Sequence, residues 1–197
     1  MPTVVQIQVA GVSANFPEST KSGASYSRST TQDPLRCGKT LGFPSQPFRR
    51  IAAGCDLSAL GAAPDIESGT LTLTCTAISD NDPDMELRAC GTQEPFLYTN
   101  AGLYDAIGNG DLLDVFNIVQ GVNVLPLSGA AVTTIIQACE FGFLMLGVTN
   151  SRENELELAN AFMVDRTAGL VLDLTLAGGG GRLRVGGNVS ANVGGNV

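Results

Sequence analysis

The sequence predicts an all-β protein: a sandwich of two antiparallel sheets with one short helix and extended N- and C-terminal arms. Three observations predict it. First, Ile66–Ala77 alternates strictly, with Leu71, Leu73 and Cys75 on one face and Thr70, Thr72, Thr74 and Thr76 on the other, the period of a half-buried strand. Second, only Ser128–Ala138 has helical spacing, with Ser128 placed to cap and Val132, Ile135 and Ile136 recurring at i, i+3 and i+4. Third, 24 Gly and 9 Pro accompany 44% hydrophobic and only 15% charged residues. That balance describes many turns around one core in a chain of 197 residues.

The elements follow in order. Val4–Val9 alternates apolar and polar residues and predicts a strand. Ser19–Gln32, rich in Ser, Thr and Gly, reads as an exposed loop or arm, continued irregularly by Pro34, Pro44 and Pro47. Phe48–Cys55 is apolar again. Beyond the Ile66–Ala77 strand, a turn at Ser79–Asp84 leads to a strand at Met85–Cys90, and the two suggest an antiparallel pair across an acidic turn. Further strands are predicted at Leu112–Val119, Phe141–Val148, Glu155–Phe162 and Gly169–Ala177. Phe141–Val148 is apolar on both faces, as a strand buried on both sides requires. Val124–Val148 is too interrupted by Pro126, Gln137 and Glu140 for a membrane span. Three parts result: an N-terminal strand and basic arm over 1–47, a body over 48–177 and a Gly-rich tail over 178–197.

The chain has no histidine and no tryptophan, which removes histidine-based triads and histidine zinc sites. No pair of its carboxylates is marked as facing across a cleft, so an enzyme is not expected. The net charge of −8 is uneven. Residues 1–50 carry six basic and two acidic side chains, residues 51–181 three basic and seventeen acidic, and Arg182 and Arg184 close the chain with two more bases. An acidic body between basic ends is a poor partner for nucleic acid or an anionic membrane. The five cysteines, Cys37, Cys55, Cys75, Cys90 and Cys139, are odd in number and show no C-x-x-C spacing. With no basic residue before Lys21 to mark a signal peptide, folding in a reducing cytoplasm with free thiols is expected.

Candidate binding residues come from three places. Asp80, Asp82 and Asp84 gather oxygen ligands in one turn, a weak Ca²⁺ candidate against which a solvated turn competes; no other cofactor is expected. Arg49 and Arg50 straddle a strand, so one of them should face outward toward a carboxylate of a uronate or a neighbouring subunit, unless both are ordinary strand-edge charges. In the tail, Val-Gly-Gly-Asn-Val occurs at Val185–Val189 and again at Val193–Val197. Such a segment builds no core of its own. Arg182, Arg184, Val185, Val189, Val193 and Val197 are therefore the expected contacts to a partner, made by strand addition to an exposed sheet edge.

The order Phe-Arg-Arg-Ile from Phe48, Cys-Asp-Leu-Ser-Ala-Leu from Cys55, and Ile-Glu-Ser-Gly-Thr-Leu-Thr-Leu from Ile66 resembles the DNRLRE type of jelly-roll domain. Leu125–Gln137, Phe141–Leu146 and Ala161–Leu176 resemble that family's short helix, its Gly-Phe strand and its closing strands, so the likeness spans roughly 48–177. It implies a jelly roll and, through the family's understood members, a carbohydrate-binding module recognising a polysaccharide. The chain departs from the pattern in having Cys55 where the family has Phe, no Trp, and only Tyr26, Tyr98 and Tyr104. A cytoplasmically made jelly roll with basic, Gly-rich arms looks more like a bacteriophage capsid decoration or cement protein. That reading implies a non-catalytic virion component, binding the major capsid protein or another virion protein and its own copies as a homo-oligomer.

Overall fold

The computed structural model describes residues 2–9, 13–39, 47–79, 84–151 and 161–177. Its strands are β1 (Thr3–Val9), β2 (Glu18–Ser22), β3 (Ser25–Ser29), β4 (Leu35–Lys39), β5 (Phe48–Asp56), β6 (Ile66–Ile78), β7 (Asp84–Ala89), β8 (Asp111–Asn117), β9 (Gly121–Pro126), β10 (Phe143–Asn150), β11 (Ala161–Val164) and β12 (Leu170–Leu176). Two α-helices, α1 (Asn100–Asn109) and α2 (Gly129–Cys139), and two short 3-10 turns, Ser58–Leu60 and Pro95–Leu97, complete the regular structure among the described residues.

One sheet runs β1-β12-β6-β9 and the other β5-β10-β7-β8, with every pairing antiparallel. β11 and β12 act as one interrupted strand along β6, since β11 pairs with Cys75–Ile78 and β12 with Ile66–Leu73. Apart from β7 and β8, which pair within one sheet, and β11 and β12, which share one line along β6, consecutive body strands therefore cross from one sheet to the other, and the order is that of a jelly roll. β4, which lies between β11 and β5, carries the hydrogen-bonded ladder around one side of the sandwich and makes the two sheets continuous there. The body's first and last strands lie side by side, with Thr3 opposite Leu176.

The inward faces meet in one core. Leu71, Leu73, Cys75, Leu172 and Leu174 from the first sheet pack with Ile51, Ala53, Cys55, Leu87, Leu144 and Leu146 from the second. Leu73 is 1% exposed at the middle of β6. Truncating Leu73 to Ala is expected to lower unfolding free energy by about 2 to 5 kcal/mol, read from urea denaturation, as the lost transfer term and the residual cavity add.

Several expectations change on contact with the structure. The two strands expected to pair across the acidic turn, β6 and β7, lie in opposite sheets, because that connection is a crossover. Ser19–Gln32 is not a loop: β2 and β3 form a hairpin that extends the second sheet from β5. Among the described residues there are two α-helices. Gly129–Cys139 starts at Ser128 as expected, with the Ser128 hydroxyl accepting from Ala131 N–H, and the helix bridges both sheets. The unexpected α1, capped by Thr99, covers the outer face of β5 and β10 through Leu103 and Ile107 packed on Ala52 and Met145. That helix is why β10 is buried on both faces. Phe143 faces the α1 side, and Leu144 is the residue that points into the sandwich interior. Gly147 permits the close approach, since a Cβ there would meet Cys90 Sγ at 2.5 Å and Ile107 at 2.9 Å. No helix among the described residues is long and apolar enough to cross a membrane.

Candidate functional site

The basic N-terminal segment is drawn inward by a single carboxylate. Glu18, 1% exposed, accepts from the Arg36 backbone N–H at 2.8 Å and from Arg36 Nη2 at 3.0 Å, and its Oε1 lies 3.2 Å from Arg49 Nε. Arg49 is held below the ordinary arginine pKa, first by burial and then by the like charge of Arg36, with Glu18 acting in the opposite sense. Arg50 projects from the other face of β5. Its guanidinium stacks 4.0 Å from the Tyr104 ring centroid and donates to the Tyr104 carbonyl at 2.8 Å. Gly108 makes room for it, because any Cβ there would collide with the guanidinium. Lys21 Nζ stands 5.6 Å from the Tyr26 centroid and 6.0 Å from that of Tyr104, and the two rings meet edge-on at 5.7 Å. So the expected outward arginine is Arg50, and it is already engaged with α1.

Arg166, 2% exposed, ties the hairpin to the turn between β11 and β12. Its guanidinium donates to the carbonyls of Phe16, Thr30 and Gln32, and its backbone N–H donates to Asp33. Burial lowers its pKa, while Asp33 and Glu18 favour the charged form.

At the opposite rim the chemistry is apolar. Leu112 and Val115 on β8, Val119 in the following turn, and Val122 and Val124 on β9 are 50 to 66% exposed. β8 and β9 are the border strands of the two sheets, and among the described residues no strand pairs with the outer edge of either. Each sheet thus carries exposed large apolar side chains on its own border strand, and such side chains on a sheet border mark an interaction surface. β9 is turned against its own composition: Val122 and Val124 face outward while Asn123 is buried at 5% exposure. Asn123 has a reason to be inside. Its Oδ1 accepts from Val119 N–H at 2.9 Å, and its Nδ2 donates to the carbonyls of Val119 at 2.8 Å and Gly121 at 3.0 Å. The amide closes the β8–β9 turn from within and thereby fixes the valines outside. The sequence signal for this rim is that one Asn amid apolar residues, two positions after Gly121, whose φ is +108°.

Asp84 opens β7, where its carbonyl accepts from Ser151 N–H. Asp80 and Asp82, and the tail contacts Arg182, Arg184, Val185, Val189, Val193 and Val197, lie outside the described residues. No group of three metal-ligating side chains occurs among the described residues.

All five cysteines are free. Burial pushes the thiols of Cys55 and Cys90 up to about 12 and that of Cys139 up to about 11, and it raises Cys75 as well. A raised pKa leaves little thiolate at pH 8. Thiol titration should therefore count five groups in denaturant without reductant, while the native protein reacts slowly. Two protected pairs would contradict the free-thiol assignment.

No protein-family model matches this chain, and no curated protein matches it either.

Proposed function

We propose that the chain is a non-catalytic structural protein of a virion, a capsid decoration or cement protein that joins a shell and its own copies. The observation that carries this reading is the apolar β8–β9 rim, where five exposed large apolar side chains border both sheets. A jelly roll is a scaffold used for capsid and lectin domains alike, so the choice between them rests on surfaces rather than fold. An apolar border suits attachment to protein. The basic ends and the acidic interior of the sequence add charge complementarity between copies.

The test compares co-sedimentation of the full-length chain and of a chain truncated after Ala177 with empty capsid shells. The truncated chain should keep its melting transition, because the core described above lies entirely before residue 177. It should lose retention on shells. Equal retention by both chains would remove the tail from the attachment, and a lost transition would make it part of the fold.

The grouping of Tyr26 and Tyr104 with Lys21 and Arg50 favours a second reading, a module for an acidic polysaccharide, as the DNRLRE resemblance implies. Retardation in a uronate-polysaccharide affinity gel, abolished by Tyr26→Ala, would favour it over the shell.

A further inference from the structure

β9 is the less protected of the two border strands. Gly121–Pro126 contains no charged residue, and its pairing with β6 runs without a register shift. β8 is defended by Asp111 and Asp114 and by an irregularity opposite Leu87–Arg88. An uncharged, regular, apolar border is a template for another strand. Across the outward side of the sheet, Val124 lies beside Thr72 and Val122 beside Thr74, and Thr72 in turn lies beside Val171.

The chain contains a segment with the matching pattern. From Gly181 to Val197 every odd position is apolar or glycine: Leu183, Val185, Val189, Ala191, Val193 and Val197, with glycine at the rest. Every even position is polar or glycine, including Arg182, Arg184, Asn188, Ser190, Asn192 and Asn196. The eight-residue offset between the two Val-Gly-Gly-Asn-Val copies is even, so the repeat keeps the valines on one face. Unbroken period-two alternation over seventeen residues is the pattern of a strand with one apolar face. Extended, it spans roughly 55 Å, far more than the roughly 20 Å that six residues of β9 occupy. That length exceeds what its own body's border accommodates and suits reach to another molecule.

We infer that residues 181–197 of one copy add as a strand to the outer edge of β9 of a second copy, with the tail's valines beside Val122 and Val124. The inference rests on the assembly reading above and names its partner. Charge is compatible with antiparallel addition. An antiparallel tail brings Arg182 and Arg184 to the Pro126 end of β9. Asp114 lies there, accepting from Ser128 N–H, and Glu67 stands three residues before Thr70, the partner of Pro126. At the Gly121 end the neighbouring strand offers Thr74 and Thr76, with Asp84 on β7 opposite Asn117. Because donor and acceptor are different surfaces, the contact is head-to-tail and chains can grow.

The experiment uses two full-length variants in analytical ultracentrifugation. The acceptor variant carries Val122→Lys with Val124→Lys, and the donor variant carries Val189→Lys with Val193→Lys, so that the two altered surfaces repel each other as well. Wild-type chain should associate with concentration, and each variant alone should associate at least 10-fold more weakly. Their equimolar mixture should recover a two-chain complex that grows no further, because one intact tail then meets one intact edge. The donor substitutions lie outside the body, so they test the idea even if the acceptor variant fails to fold. Variants that associate like wild type overturn the inference, as does a mixture that stays monomeric when both variants melt normally. A wild-type chain that is monomeric at every concentration also overturns it; shell retention by that same monomer would show that the attachment reading survives.

Discussion

Replacing Arg166 by Leu is expected to lower the unfolding free energy by about 3 to 5 kcal/mol, the cost of leaving one buried and two half-buried carbonyls without donors at roughly 1 to 3 kcal/mol each. Leucine fills much of the space but supplies no N–H to Phe16, Thr30 or Gln32, which come from the two stretches of chain before β2 and after β3 and are gathered on one guanidinium. With a urea slope of about 2 kcal/mol/M, the midpoint should fall by about 2 M at unchanged slope. A loss under about 1 kcal/mol would mean that water replaces the guanidinium without penalty, and that the group is not structural.

Glu18→Ala should be of similar size, about 3 to 5 kcal/mol, because it strands charge that the carboxylate had balanced. Arg49 bears most of it, being 12% exposed in its side chain against 29% for Arg36, which turns more easily to solvent. Burial and Arg36 already disfavour the charged form of Arg49, and Glu18 is the group that opposes them. Adding Arg49→Met to Glu18→Ala should therefore recover part of the loss, giving a coupling of about 0.5 to 3 kcal/mol in a double-mutant cycle. Additive losses would show that Glu18 serves only the Arg36 side of the contact.

These two residues also explain where the sequence was legible and where it was not. β6 was readable because one face is core and the other is solvent, so apolar Leu71 and Leu73 alternate with threonines. α2 was readable from its cap and spacing. The β2–β3 hairpin was not, since its Ser-rich strands bury little of their own and are fixed by Glu18 and by Arg166, whose partners are far away in sequence. α1 was hidden by Gly102 and Gly108 within its ten residues, tolerated because Leu103 and Ile107 bury against β5 and β10. At the candidate site, Arg49 and Arg50 were correctly placed on opposite faces of β5, but their partners are set by the tertiary fold. The β8–β9 rim escaped for a further reason. Alternation reveals that a strand has two faces without saying which is inside, and in β9 three hydrogen bonds to Asn123 outweigh the hydrophobic preference of two valines.

The position of Thr3 opposite Leu176 has a mechanical consequence. Both ends of the body leave from the same end of one antiparallel pair, so tension applied between them would peel β1 from β12 one hydrogen bond at a time. Ladders loaded that way yield at low force. A tail bonded lengthwise along another strand would be loaded in shear instead, with many bonds sharing the pull. Under load, such a joint should outlast the β1–β12 pair that it extends.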